Sequence, residues 1–101
     1  MEDDWQALAF DFDGFEWDNE KADSNWRKHG IDFEDAKLIF QGIVLAQAQF
    51  ENEEDRWQCI GIAKGREIVV VIAERGRFCR IISARSADRK ARRRYYEIYS
   101  R

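Results

Sequence analysis

An α+β domain with a mainly antiparallel sheet is the fold class this sequence predicts, on three observations. Capping residues frame helices early in the chain, four β-rich segments at hairpin spacing follow, and a basic helix with an aromatic end closes it. With 101 residues, 45% of them hydrophobic, there is material for one core and too little length for two. Residues 1–9 read as an acidic N-terminal tail and residues 10–101 as a single domain.

In the tail, Glu2, Asp3 and Asp4 surround one large anchor, Trp5. From Leu8, the alternation of Leu8, Phe10 and Phe12 with Ala9, Asp11 and Asp13 has the period of a strand. Gly14 interrupts it before Phe15-Glu16-Trp17 resumes, which predicts one bent or paired edge segment. Asp18 stands at an N-cap, its carboxylate able to accept from free backbone N–H groups, and Asn19 to His29 are helical until Gly30 stops them. Asp32 caps again, so Phe33 to Phe40 is predicted as a second short helix ending at Gln41-Gly42, giving two helices in tandem.

Ile43 to Gln49, Arg56 to Ala63, Glu67 to Glu74 and Phe78 to Arg85 then read as strands joined by hairpin turns. Ile68 to Ile72 is apolar on both faces, which predicts a central strand covered by helices on one side and by a partner or terminal helix on the other. Asp88 caps a last helix through Ser100, basic on most of its circumference, with Tyr95, Tyr96, Ile98 and Tyr99 near its end.

The net charge of -3 conceals an asymmetry: residues 1–74 sum to -11 and residues 75–101 to +8. The last quarter is therefore expected to face an anion, against the plainer reading of a solvated helix. Cys59 and Cys79 read as free cytosolic thiols rather than a disulfide, and the absence of an export signal and of a bilayer-length apolar run points to the cytoplasm and away from a membrane. One histidine and two separated cysteines offer no C-x-x-C or H-x-x-x-H spacing, so neither a metal nor a nucleotide cofactor is expected.

What remains suits phosphodiester chemistry. Cleaving RNA without a metal requires help in deprotonating the 2′-OH, donors for the phosphate as its charge builds, and an acid for the leaving 5′-oxygen. Arginine fits the donor role through its planar fork. Arg75, Arg77, Arg80, Arg85 and Arg89 fall in or just after two strands, although strict alternation places Arg80 and Arg85 on opposite faces unless a bulge intervenes. His29 is the one histidine, the residue type that titrates nearest neutrality, and a helix C-cap role competes with catalysis. Glu54 is either a base or an ion-pair partner of Arg56. Tyr95 and Tyr96 either stack a base or anchor the helix to the core. Lys90, on the outer last helix, is expected to matter little when substituted.

Phe15-Glu16-Trp17-Asp18, Lys21, Asn25, Lys28-His29-Gly30, Phe33, Ala36 and Phe40, followed by Glu54, Arg56, Gly61, Arg66, Val70, Glu74-Arg75, Arg80-Ile81-Ile82-Ser83-Ala84-Arg85, Ala87 and Arg89, resemble the BrnT toxins of bacterial type II toxin–antitoxin pairs. The resemblance implies a RelE-like fold, in which two N-terminal helices and a basic C-terminal helix pack on a curved, mainly antiparallel sheet. It implies an endoribonuclease that cleaves RNA and inhibits translation. It also implies a BrnA-type ribbon-helix-helix antitoxin that carries the toxin to operator DNA, in a complex that can include a toxin dimer. The catalytic positions it implies are Lys28, His29, Glu54, Arg75 and Arg85, with RNA contacts from Arg80, Arg89, Arg92 and Arg93.

Two features depart from the family. Arg89-Lys90-Ala91-Arg92 has alanine where the family often has glutamate, which bears on full activity. Residues 1–20 hold eight carboxylates and no basic residue, an acidic front expected to lie over the basic face as a partial RNA mimic. Two other readings stand beside the nuclease: a catalytically weak module that completes a DNA-bound repressor complex, and an unrelated nucleic-acid-binding domain whose basic terminal helix contacts phosphates without cleaving them.

Overall fold

The computed structural model describes residues 4–99, so Met1–Asp3 of the tail and the helix end expected at Ser100 lie outside the described residues. Strands β1 (Gln6–Leu8) and β2 (Gly14–Glu16) precede helices α1 (Asn19–His29) and α2 (Phe33–Ala36), with a 3-10 turn over Lys37–Gln41. Strands β3 (Val44–Glu51), β4 (Glu54–Ala63), β5 (Arg66–Arg75) and β6 (Phe78–Ser86) follow, and helix α3 (Arg89–Tyr99) closes the chain. The six strands form one sheet in the order β1-β3-β4-β5-β6-β2. All neighbours are antiparallel except β2, which runs parallel to β6.

The four long strands match the period-2 segments of the sequence to within two residues at either end. The opening does not follow the expected single edge segment. Gln6–Leu8, expected within the tail, pairs with β3 at one edge, and Gly14–Glu16 pairs with β6 at the other. Only residues 9–13 join them. Such a link reaches at most about 22 Å, whereas five flat inter-strand spacings alone come to about 24 Å. The sheet is therefore strongly curled. Phe10 and Phe12 of the link stack at 5.2 Å and meet Phe40 edge-on, and Phe10 also meets Trp57. The concave side is thus filled by the main core, with Phe33, Ile39, Val44, Cys59, Val70, Ile72 and Ile81 all buried.

The expected second helix over Phe33 to Phe40 is also corrected. It is α-helical only over Phe33–Ala36 and continues as the 3-10 turn. Phe33, Ala36 and Ile39 are all buried, and their three-residue spacing aligns them on one side of the tighter turn. The RelE-like arrangement with two N-terminal helices on the sheet is therefore not adopted: α1 is the one full helix ahead of the long strands. Asp18 caps it as expected, accepting from the N–H groups of Glu20 (2.8 Å) and Lys21 (3.2 Å), and Gly30 ends it in the left-handed region.

Helix α1 continues the role of β2 along the outer edge of β6. Beyond the three residues paired to β2, Asn25 presents its amide to that edge, donating to the Ala84 carbonyl (2.8 Å) and accepting from the Ala84 N–H (3.0 Å). It also donates to Ile31 O at 3.2 Å. Asn25 is buried, so one side chain satisfies backbone groups that would otherwise be orphaned. On the other face of the sheet, Asp88 caps α3 through the Ala91 N–H (2.8 Å), and Ala91 and Tyr95 pack on Leu45, Ile60 and Val69. β5 is thus covered on both faces, as its sequence predicts.

Cys59 and Cys79 are free and buried, and burial pushes both thiols well above the ordinary thiol value.

Asn25→Ala leaves both Ala84 groups unpaired at a buried edge. The expected loss is about 3 kcal/mol of stability, read as a lower urea midpoint with an unchanged slope. A midpoint equal to the wild type's would show that the amide does not seal this edge.

Candidate nucleic-acid interface

The outer face of the sheet gathers the arginines through one irregularity. Val71 pairs with Ser83 while its neighbour Ile72 pairs with Ile81, so Ile82 is an extra residue in β6. Arg80 then falls opposite Ala73 and Arg85 opposite Val69. Both belong to the face that carries α3, since Val69 lies in the cluster beneath that helix. The bulge therefore removes the conflict that strict alternation creates. By the same alternation Arg75, Glu54, Arg56 and Glu16 share this face.

Near the hairpin turns, Glu54 accepts from Arg56 Nε (2.9 Å) and from Arg75 Nη2 (2.8 Å). Arg56 also lies 3.6 Å from Glu51. The bonds from Arg56 and Arg75, in that order, hold the Glu54 carboxyl below the ordinary glutamate value. Glu54 is thus an ionised holder of two guanidinium groups and a weak base while it holds them. Of its two sequence readings, the pairing with Arg56 is the one the structure shows. Next along the face, Arg80 Nη1 donates to Glu16 Oε2 at 3.0 Å. Arg77, in the turn, binds Asp13 (3.1 Å) and Asp11 (3.4 Å). Three carboxylates of the acidic front thus meet arginines of the β5–β6 turn and of β6.

Toward the other end, Arg85 lines a cleft of about 250 Å³ with Trp5, Gln47, Gln58, Asp88, Lys90 and Arg94. The Arg94 guanidinium lies 5.2 Å from the Trp5 ring centroid, a cation–π contact. Because α3 buries Ala91 and Tyr95, the residues one position before each, Lys90 and Arg94, flank the cleft. Lys90 is exposed on the outer helix and lies on the rim of this cleft. Arg89 and Arg93 are exposed, while Arg92 donates to the Ala87 carbonyl at 2.7 Å. Tyr95 is buried and stacks on Tyr99 at 4.4 Å, and Tyr96 O–H donates to Glu67 Oε2 at 2.6 Å, so these tyrosines anchor the helix.

Lys28 and His29 occupy the last turn of α1, three and four residues beyond Asn25, on the side of the helix that meets β6. Both are exposed. The five positions implied as catalytic are therefore divided. Glu54 and Arg75 are in contact, whereas Arg85 is opposite Val69, six residues along β5 from Arg75, or about 20 Å. Lys28 and His29 belong to the Arg85 end. Sequence reasoning missed Lys90 and Arg94; their four-residue spacing beside the apolar pair Ala91 and Tyr95 was the available signal.

Among the described residues, no His, Cys, Asp or Glu cluster is arranged to hold a metal, and no helix is long and apolar enough to cross a membrane. A small α+β domain with one sheet face given over to arginines and their carboxylate partners has the build of a protein that handles a phosphate-bearing chain. The sequence matches the family model for BrnT, the ribonuclease toxin of a type II toxin–antitoxin system, over residues 17–91. It belongs to the BrnT family. The matched region contains Lys28, His29, Glu54, Arg75, Arg80 and Arg85 and leaves out Trp5 and Arg94. No curated protein sequence matches the chain.

The lowered Glu54 value gives the sign of a pH effect. Its stabilising contribution is present above the ordinary glutamate value of 4.5 and is lost as pH falls through the lower folded value. Glu54→Gln is therefore expected to be less stable than the wild type at pH 7, with the gap closing in acid. Urea midpoints across that range check it, and a gap that persists to the lowest pH would contradict it.

Proposed function

We propose that this chain is a metal-independent endoribonuclease that holds an RNA strand along β6 on the outer sheet face. The observation that supports it most is the bulge at Ile82, which aligns Arg80 and Arg85 with Arg75 and Glu54 on one side. Arg75 and Arg80 bind phosphates, the first held in place by Glu54. Lys90 and Arg94 extend the positive track past Arg85, and Arg89, Arg92 and Arg93 contribute a more distant field.

Cleavage is assigned to the Arg85 end. Glu54 is held ionised by two guanidinium groups, so the proton-transfer role falls to His29. His29 assists departure of the 2′-OH proton, the 2′-oxygen attacks the adjacent phosphorus, and the bond to the 5′-oxygen breaks as that oxygen takes up a proton. Arg85 and Lys28 stabilise the charge that builds on the phosphate. RNA cleavage in the cytoplasm would inhibit translation, and a BrnA-type ribbon-helix-helix antitoxin would neutralise the enzyme and carry it to operator DNA, with a toxin dimer as one assembly. A second reading, a catalytically weak member of such a complex, is favoured by Ala91, which lines the Arg85 cleft where a carboxylate is usual.

Purified chain freed of antitoxin, incubated with a defined RNA in EDTA, tests both. Wild-type cleavage is expected, with Arg85→Ala and His29→Ala each losing about 100-fold or more in kcat. Lys90→Ala is expected to act chiefly on KM. Binding without cleavage by wild type would support the second reading instead. Equal loss in Lys90→Ala and Arg85→Ala would argue against a discrete catalytic site.

A further inference from the structure

We propose that Phe78 is a base-stacking platform of this interface, taking an unpaired RNA base whose phosphate is held by Arg75 or Arg80; the inference rests on the RNA reading above. Phe78 is 44% exposed at the start of β6. It pairs directly with Arg75 across the hairpin and stands two residues before Arg80, so its ring shares their face of the sheet. Directly opposed side chains in an antiparallel pair start about 5 Å apart. A phosphate gripped by either arginine therefore brings its own nucleoside within reach of the ring.

The ring has a built seat. Gly14 of β2 pairs with Phe78, and a Cβ at Gly14 would come within 2.7 Å of Phe78 Cε2. The missing side chain lets one side of the ring lie against the edge strand while the remainder stays open. The hairpin beneath it is tied down, since Arg77 is bound to Asp11 and Asp13 and the Asp13 N–H donates to the Arg77 carbonyl at 2.7 Å. Phe50, more exposed at 72%, lacks this setting: it pairs with Asp55 on the opposite face, just ahead of Glu51 and Glu53 in its hairpin. An aromatic ring among carboxylates repels a nucleic acid; one flanked by guanidinium groups suits it. Stacking needs only a π-face, so the ligand class is single-stranded RNA with at least one unstacked base, without strict base identity.

The test uses a short single-stranded RNA and a set of the same RNA with one abasic position each, measured by fluorescence anisotropy. The proteins carry Arg85→Ala to silence cleavage. One abasic position is expected to weaken binding by about 5- to 150-fold. Phe78→Leu, which keeps an apolar side chain on Gly14, should weaken binding of the intact RNA similarly and lose sensitivity to that position. Phe78→Tyr should restore both. The salt slope should be unchanged in Phe78→Leu and shallower in Arg80→Gln. Sensitivity to the abasic position that persists in Phe78→Leu, or binding equal to that of the Phe78 parent, overturns the stacking role while leaving the RNA reading intact. Failure of the Arg85→Ala parent and of wild type to bind any probe overturns the RNA reading, and this inference with it.

Discussion

A single extra residue in β6, Ile82, decides which side of the sheet each arginine of that strand serves. Without it, Arg80 and Arg85 would point to opposite faces, and one of them would enter the concave core beside Ile72 and Ile81. A guanidinium there would have no compensating partner, and burying such a charge costs several kcal/mol on the usual scale. The bulge lets the strand keep Cys79, Ile81 and Ala84 buried while Arg80, Ser83 and Arg85 turn outward. Core packing and the positive row are therefore solved by the same irregularity.

The outward row is prepared with weakly held counter-ions. Arg80 is bound to Glu16 and Arg77 to Asp11 and Asp13, all with substantial exposure. Exposed pairs of this kind are worth about 0–1 kcal/mol, whereas a charge-assisted bond to a phosphate contributes about 1.5–3 kcal/mol. An incoming phosphate can displace such a carboxylate at little cost. The acidic front thus orders arginine side chains without blocking them. Of the acidic front expected to lie over the basic face, Asp11, Asp13 and Glu16 meet Arg77 and Arg80.

The long strands and the caps were legible because their signals are local. Asp18, Asp32 and Asp88 each cap where the sequence places them, and the period-2 segments from Ile43 onward become β3 to β6. The two short edge strands were not separable, because three residues carry too little periodicity and their partners lie far away in sequence. The 3-10 turn was hidden because Phe33, Ala36 and Ile39 fit either helix type over so short a stretch. The bulge gave no glycine or proline to mark it, only two consecutive isoleucines. Asn25 looked like any polar helix residue until the exposed edge of β6 beside it supplied the reason for its burial.

Glu54 shows how a residue can be picked out in the sequence while its role stays open. A carboxylate near a hairpin reads equally as a base or as an ion-pair partner, and sequence offers nothing to choose between them. Two bonds of 2.8 and 2.9 Å to different arginines decide it, because each proton acceptor position they occupy is one less for a substrate hydroxyl. The same bonds lower its basicity. A phosphate that drew Arg75 away would relax this hold, yet Arg56, less exposed than Arg75 and the larger cause of the shift, would remain. Glu54 is consequently held as a carboxylate by Arg56 even then, which fixes a guanidinium group at that end of the face.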